Sequence, residues 1–305
     1  MATASSSSSS DVKLDTALHI KYIQNLDKRQ DLAYHLTSHL RLNGIYWGLT
    51  AAHIMGQPNT LDREGVIEYV LSCWDDEAGA FGPHPGHDGH VLATLSGIQI
   101  MLMEDAIDRI DVGRVTQFLL DRINDDGSVS GDTWGEIDTR FTYICLSSLS
   151  LLGKLDQIPQ QKRDSIIEYI RKCKNFDGGF GRVPGAESHS GQVWVCTAAL
   201  SILDRQDLID VPLLGAWLSE RQLPNGGLNG RPEKLEDDLE DGGIADRPGD
   251  WVDVFHTIFG LAGLSLLGYP GLEDIDPVYC MPAKLIDKLV LRKPYAALER
   301  MSSYP

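Results

Sequence analysis

The sequence predicts an all-α chain folded as an α/α toroid, in which an outer ring of helices surrounds an inner ring. The first observation is a turn that contains glycine and recurs along the chain, each time just before an apolar anchor residue. The anchors are Phe81, Val129, Phe180 and Leu228, so they recur roughly every 50 residues. A regular interval of this size is typical of a repeat architecture.

The second observation is that two kinds of helical pattern alternate around each turn. Amphipathic patterns precede the turns at Asp111–Ile123 and Asp164–Cys173, with apolar residues on one face only. The patterns after the turns are apolar nearly all round, at Ile137–Leu152, Gly191–Leu203 and Val252–Leu267. A helix that is apolar on every side belongs inside a protein, and an amphipathic helix belongs at its surface. We therefore expect an inner and an outer ring, with the turns gathered at one end.

The last interval departs from this period. A fifth turn ends at the anchor Ile244, which follows Leu228 after only about a third of the usual interval. The residues between these anchors are polar and acidic and carry no helical pattern. We predict that one helix pair is missing between residues 235 and 242, which would open the ring and expose the apolar flanks of its neighbours. The alternative is a naturally irregular terminal repeat.

Composition limits the function classes. The chain has 305 residues, of which 42% are hydrophobic, and its formal charge is −17. Because nucleic-acid binders normally carry a basic face, a nucleic-acid partner is not expected. No apolar stretch is long enough to span a bilayer, so an integral membrane protein is not expected either.

The cysteines indicate the cellular compartment, and the residues at the two chain ends indicate the domain limits. The five cysteines are odd in number and widely spread, which favours reduced core thiols in a cytoplasmic protein. Residues 1–10 include six consecutive serines and predict a disordered leader. We expect one barrel domain over residues 11–270 and a C-terminal tail over residues 271–305.

A series of short motifs follows along the chain: residues 44–49 (GIYWGL), 81–88 (FGPHPGHD), 177–181 (DGGFG), 189–192 (HSGQ), 230–235 (GRPEKL) and 246–250 (DRPGD), followed by 255–257 (FHT). Together they resemble the protein prenyltransferase β-subunit family over nearly the whole chain, and most of all its Rab geranylgeranyltransferase type. The resemblance implies a barrel that forms a heterodimer with a helical α subunit. It also implies transfer of geranylgeranyl from geranylgeranyl diphosphate to C-terminal cysteines of Rab proteins, which an escort protein presents.

The resemblance further implies a zinc ion that holds the acceptor sulfur as a thiolate. Its ligands in the family are an Asp and a Cys two residues apart, together with a His on the next inner helix. His256 and Asp237 fall at the His and Asp positions, and Asp253 could orient His256. Leu239 stands where the Cys is expected. We therefore expect this chain to be impaired as a catalyst, because zinc sites take three or four protein ligands.

The other site residues are also carried over from the resemblance. The residues that match diphosphate-binding positions or lie directly beside them are His189, Ser190, Gly191, Arg231 and Lys234. Those expected to line the lipid pocket are Tyr46, Trp47, Phe141 and Trp194. No catalytic side chain is expected beyond the metal and diphosphate ligands. His90 follows Phe81 at the same offset as His189 follows Phe180, which predicts a shared position where an inner helix begins.

Two other functions remain open. A non-catalytic interaction subunit would keep the surface for the α subunit but bind no zinc. A terpene cyclase on a related toroid would act on a free polyprenyl substrate, and residues 237–241 (DDLED) match its diphosphate motif. Zinc stoichiometry separates the first alternative from the transferase, and the absence of cyclised products would exclude the second.

Overall fold

The computed structural model describes residues 14–26, 28, 30, 32–224, 227–234, 243–245 and 249–294. Across these residues the chain is helical apart from two short antiparallel strand pairs, β1 (Trp74–Asp75) with β2 (Ala80–Phe81) and β3 (Ile275–Asp276) with β4 (Met281–Pro282). The helices are α1 (Thr16–Asn25), α2 (Leu32–Leu36), α3 (Arg41–Ile54), α4 (Arg63–Ser72), α5 (Val91–Met103), α6 (Val112–Asp121), α7 (Thr139–Leu151), α8 (Gln160–Cys173), α9 (Ser190–Ile202), α10 (Val211–Ser219), α11 (Val254–Leu266) and α12 (Ala283–Lys288).

The inner ring consists of α3, α5, α7, α9 and α11. Helices α3, α5, α7 and α9 pack each against the next, and α11 packs against the other side of α3. Nearly every side chain of α5 and α7 is buried, as expected of helices that are apolar all round. The predicted inner helices at residues 137–152, 191–203 and 252–267 are confirmed as α7, α9 and α11.

The outer helices bury one face only. In α6 the buried side chains include Val115, Phe118 and Leu119, which recur at helical spacing. Helix α8 buries Ile166, Tyr169, Ile170 and Cys173 in the same manner. Each stripe packs on the inner ring, and the opposite face is polar, so the predicted alternation of outer and inner helices is confirmed.

The glycine turns set the geometry of each repeat. Asp126 accepts a hydrogen bond from the Ser128 N–H (2.9 Å), and Asp177 accepts one from the Gly179 N–H (2.9 Å). Between them, Gly127 has φ +87° and Gly178 has φ +86°, a left-handed conformation that glycine adopts without steric cost. The anchors then pair with the end of the preceding outer helix, as in Ile123↔Val129, Lys174↔Phe180 and Gln222↔Leu228.

Four of the five inner helices, α5, α7, α9 and α11, begin at one shared position, at a constant offset from the preceding anchor. This position holds His90, Asp138, His189 and Asp253. Each side chain accepts a hydrogen bond from a backbone N–H in the first turn of its helix and so caps it. The predicted shared position of His90 and His189 at the start of an inner helix is confirmed. Asp138 and Asp253 occupy the same position in α7 and α11. All four side chains therefore lie at the same rim of the barrel.

The opposite end of the barrel is closed by residues 273–280, here called the floor segment. Side chains from all five inner helices donate hydrogen bonds to its backbone carbonyls: Tyr46 to Cys280 (2.7 Å), Gln99 to Tyr279 (3.1 Å), Tyr143 to Val278 (2.7 Å), Trp194 to Pro277 (2.8 Å) and Ser265 to Glu273 (2.7 Å). Tyr279 is fully buried. The structure therefore differs from the expected tail over 271–305, because residues 272–286 contribute core side chains that cover the end of the inner ring.

The predicted break in the repeat lies at residues 235–242, which are outside the described part of the chain. Its effect on the flanking residues is visible. Phe81, Val129 and Phe180 are buried anchors, whereas Leu228 is 61% exposed. Helices α9 and α11, the two ends of the inner series, do not pack side by side as the other neighbours do. The expectation that an open ring exposes apolar flanks is met at Leu228.

Candidate functional site

Five predicted diphosphate residues come together where α9 begins, and we call them the anion pocket: His189, Ser190, Gly191, Arg231 and Lys234. His189 caps α9, because its Nδ1 accepts a hydrogen bond from the Gly191 N–H (3.0 Å). The neighbouring backbone N–H, of Ser190, donates to the Gly230 carbonyl (2.8 Å) and ties the loop 229–234 to the helix start. The pocket therefore combines a helix N-terminus, which favours anions, with three basic side chains.

Gly230 brings this loop close to His189. A Cβ atom at residue 230 would lie 2.8 Å from His189 Nε2 and 3.4 Å from Ser190 Oγ, so a side chain there would collide with the histidine. Beyond it, the Asn229 side chain donates to the Lys234 carbonyl (3.0 Å) and folds the loop back on itself. Arg231 reaches Glu187 across the pocket, with 3.1 Å between Nη1 and Oε2.

The electrostatics of the pocket favour a neutral His189. Burial lowers the pKa of its imidazole, and the nearby charges of Arg231, Lys234 and Arg140 lower it further, against the opposite effect of Glu187. Because Nδ1 accepts the Gly191 hydrogen bond, the proton of the neutral ring is on Nε2. That N–H can donate to an anion held by Arg231 and Lys234.

Arg140 is a residue of this rim that the sequence analysis missed. It lies in the first turn of α7, where its Nη2 is 3.0 Å from Oδ2 of the cap Asp138. Its charge affects the pKa values of both His90 and His189, so it lies between the caps of α5 and α9. It follows the anchor Val129 at the same offset as Gly191 follows Phe180, and this equivalence could have indicated it.

His256 lies at the same rim, in the first turn of α11. Its Nδ1 is 2.5 Å from Asp253 Oδ2, and its backbone N–H donates to Asp253 Oδ1 (2.8 Å). Burial alone would raise the pKa of Asp253, but the hydrogen bonds from His256 outweigh it and lower that pKa. The carboxylate thus fixes the orientation of the imidazole ring.

The described residues do not complete a zinc site. Asp237, the second predicted ligand, is outside them, and within them no group of three or more His, Cys, Asp or Glu side chains could hold a metal. All five cysteines are buried, and burial raises the pKa of the Cys280 thiol to about 11. Zinc needs three or four ligands, so His256 with Asp253 is an incomplete set.

The predicted lipid-pocket residues divide into two groups. Trp47 and Trp194 belong to a continuous aromatic run, together with three residues that the sequence analysis did not single out: Tyr143, Phe255 and Phe259. Neighbouring ring centroids are 4.9 Å apart for Tyr143–Trp194, 6.0 Å for Trp194–Phe259, 4.8 Å for Phe259–Phe255 and 5.1 Å for Phe255–Trp47.

The aromatic run joins the two ends of the barrel. Tyr143 is bound to the floor segment, and the Phe255 ring lies 5.2 Å from the His256 ring at the rim. The other two predicted residues lie elsewhere: Tyr46 is buried at the floor segment, and Phe141 packs against His90 with 5.3 Å between ring centroids. The spacing of the two α11 phenylalanines by one helical turn could have indicated them.

Comparison with known proteins agrees with this architecture. The model of the prenyltransferase alpha-alpha toroid domain matches residues 14–238 and 238–281. A geranylgeranyl transferase type-2 subunit beta from Saccharomyces cerevisiae is 46% identical, with 88% of this chain and 94% of that protein covered. The chain belongs to the protein prenyltransferase β-subunit family. A type-2 subunit beta 1 from Arabidopsis thaliana is 43% identical over 95% of this chain and 100% of that protein.

The type-2 relatives resemble this member of the family more than the other types do. A protein farnesyltransferase subunit beta from Schizosaccharomyces pombe is only 26% identical, over 87% of this chain and 86% of that protein. The fold is shared with the solved Candida albicans protein geranylgeranyltransferase-I complexed with GGPP, at a TM-score of 0.80 and 19% identity, covering 93% of this chain and 100% of that one. Among the described helices, none combines the length and the apolar character needed to cross a membrane.

The comparisons also bear on the predicted missing repeat. The two matched parts of the family model meet at residue 238, inside the predicted break. The yeast alignment has 310 columns but includes 88% of the 305 residues, about 268, so about 42 columns stand opposite gaps in this chain. A deficit of this size corresponds to one helix pair.

Proposed function

We propose that this chain is the β subunit of a type II geranylgeranyltransferase, which transfers geranylgeranyl from geranylgeranyl diphosphate to C-terminal cysteines of Rab proteins. The anion pocket is the observation that carries the proposal. A helix N-terminus, the Nε2–H of a neutral His189, Arg231 and Lys234 converge on one rim, next to an aromatic run that can receive the lipid. The names of the relatives support geranylgeranyl as the transferred group.

In this proposal the pocket stabilises the leaving group. As the bond between the lipid C1 carbon and the diphosphate oxygen breaks, negative charge grows on the diphosphate, and the acceptor sulfur forms a new bond to that carbon. Arg231 and Lys234 bind the phosphate oxygens with charge-assisted hydrogen bonds, and His189 adds a third donor. The lipid lies along Trp47, Trp194 and their aromatic neighbours, which exclude water from the reacting carbon.

The proposed partners follow from the family. An α subunit forms the heterodimer, and an escort protein presents the Rab substrate. Zinc would be held by His256 and Asp237 and would lower the pKa of the acceptor thiol. Leu239 stands where the family has its zinc Cys, and this favours a second candidate, a non-catalytic interaction subunit that binds the α subunit without turnover.

The proposal is tested by the affinity for a fluorescent geranylgeranyl diphosphate analogue. Arg231→Gln and Lys234→Gln should each weaken binding about tenfold or more, because each removes a charge-assisted contact to the diphosphate. Arg171→Gln is the matched control, since Arg171 pairs with Glu168 on the surface of α8. Equal affinity in all three variants would refute the anion pocket. Zinc stoichiometry of the heterodimer then separates the enzyme, with one ion, from the interaction subunit, with none.

A further inference from the structure

Large apolar side chains are exposed on the helices that flank the missing repeat. The outer helices α4, α6 and α8, which the structure describes in full, expose none of this kind, and neither do the inner helices α5, α7 and α9. Helix α10 exposes Val211, at 69%, Leu213 and Leu218, and helix α11 exposes Phe255, at 41%, and Leu266. Within the repeats this exposure is therefore concentrated on α10 and α11, and further exposed leucines lie on the N-terminal helices α1 and α2.

On α10, Val211 and Leu218 lie on the side turned away from the preceding repeat. Leu214 and Trp217 form its buried face. Leu213 flanks that face on one side, and its Cγ would lie 2.9 Å from a Cβ at Gly178, in the turn before α9. Val211 and Leu218 are about two helical turns apart and flank the buried face on the other side. They face the position of the next outer helix.

On α11 the exposed Phe255 and Leu266 form a matching stripe with the partly buried Phe259. Phe255, Phe259 and Leu266 are separated by about one and two helical turns, so they share one face of the helix. Phe259 contacts Trp194 of α9 across the interior, which shows that this face is turned toward α9. We call the surface formed by Val211, Leu218, Phe255, Phe259 and Leu266 the open flank.

The segment that is missing beside the open flank has about the length of one repeat. The interval between the anchors Leu228 and Ile244 is too short by one helix pair, and the two parts of the family match meet at residue 238. The yeast relative has about 42 alignment columns opposite gaps in this chain. Elsewhere in the chain a repeat supplies one amphipathic outer helix and one apolar inner helix, such as α8 and α9. A pair of the same kind has the length and the apolar face that the open flank requires.

We infer that the open flank is an interaction surface for an α-helical hairpin supplied by a separate polypeptide. The hairpin has the length of one helical repeat, roughly 30 to 45 residues, with one helix that is apolar on all sides and one that is amphipathic. Its apolar helix packs between α9 and α11, and its outer helix packs beside α10. Isolated helices of this length are marginal in water, so the hairpin gains most of its structure on binding. This inference concerns binding alone and does not depend on turnover.

The test uses the full chain and a synthetic peptide with the residues of the Saccharomyces cerevisiae relative that align between residues 235 and 242 of this chain. We expect a 1:1 complex by light scattering and a gain in helical circular dichroism. A hundredfold excess of peptide over Kd should raise Tm by about 5 °C. Absence of binding, or binding with no gain in helix, overturns the inference.

Two variants locate the surface. Val211→Asp and Leu218→Asp should each weaken peptide binding about tenfold or more, since each buries a charge at the contact. Leu36→Asp, at an exposed apolar position of α2, is the matched control and should bind as the parent does. Circular dichroism of each free variant verifies its fold. If the chain alone forms a dimer that Leu218→Asp abolishes and Leu36→Asp does not, the occupant is a second copy and the inference is wrong.

Discussion

Replacing Tyr143 with Phe tests how the floor segment holds the inner ring. Tyr143 is buried, and its hydroxyl donates to the Val278 carbonyl at 2.7 Å, 135 residues away in sequence. The substitution keeps the ring and its stacking on Trp194 but removes the donor, so a buried carbonyl loses its hydrogen bond. Such a loss costs about 1–3 kcal/mol. In a chain of this size, a loss of about 2 kcal/mol lowers Tm by roughly 3 °C.

The assay combines thermal unfolding with thiol labelling. Cys280 is a residue of the floor segment, and burial raises the pKa of its thiol to about 11, so the native thiol is unreactive. Loosening the floor segment should speed its labelling by a thiol reagent, which mass spectrometry of the labelled peptide assigns to Cys280. Tyr143→Phe should therefore lower Tm and increase Cys280 labelling together.

The matched control is Ser148→Ala on the same helix. The Ser148 hydroxyl is buried and has no hydrogen-bond partner among the described residues, so its removal should leave Tm unchanged or raise it slightly. The reasoning is refuted if Tyr143→Phe stays within about 1 °C of the parent with unchanged labelling. It is also refuted if Ser148→Ala loses as much stability as Tyr143→Phe.

Two further predictions concern the rim and the turns. Burial lowers the pKa of His90 below 6.5, so protonation favours the unfolded chain and stability falls as pH drops below 6.5. His90→Asn keeps a side-chain cap for α5 but cannot titrate, so its Tm should fall less than that of the parent between about pH 7 and pH 5. An equal fall in Tm would show that His90 does not cause the pH dependence. Gly127→Ala should prevent stable folding, because the new Cβ would lie 2.0 Å from the Ser165 carbonyl oxygen. Gly153→Ala, at φ +65° with open space around it, should cost only about 1 kcal/mol by urea unfolding, and similar losses in both would count against the turn argument.

The sequence alone determined the features that are encoded locally. The interval between anchors, the glycine turns and the two helical periodicities depend on residues close together in the chain, so they predicted the two rings correctly. The same regularity located the missing helix pair, because a break in a period is visible without a structure. The anion pocket was accessible too: its residues occupy short motifs at the start of α9 and in the adjoining loop, and the fold brings them together.

The tertiary structure decided what depends on distant residues. Tyr46 binds the backbone of Cys280, 234 residues away, and Trp194 binds Pro277, 83 residues away, so their polar atoms hold the floor segment, which the sequence analysis took for the beginning of a tail. Arg140 comes near His189 only because α7 and α9 are neighbours in the ring. No local pattern carries such contacts, since the bonding partner is a backbone carbonyl, which every residue has.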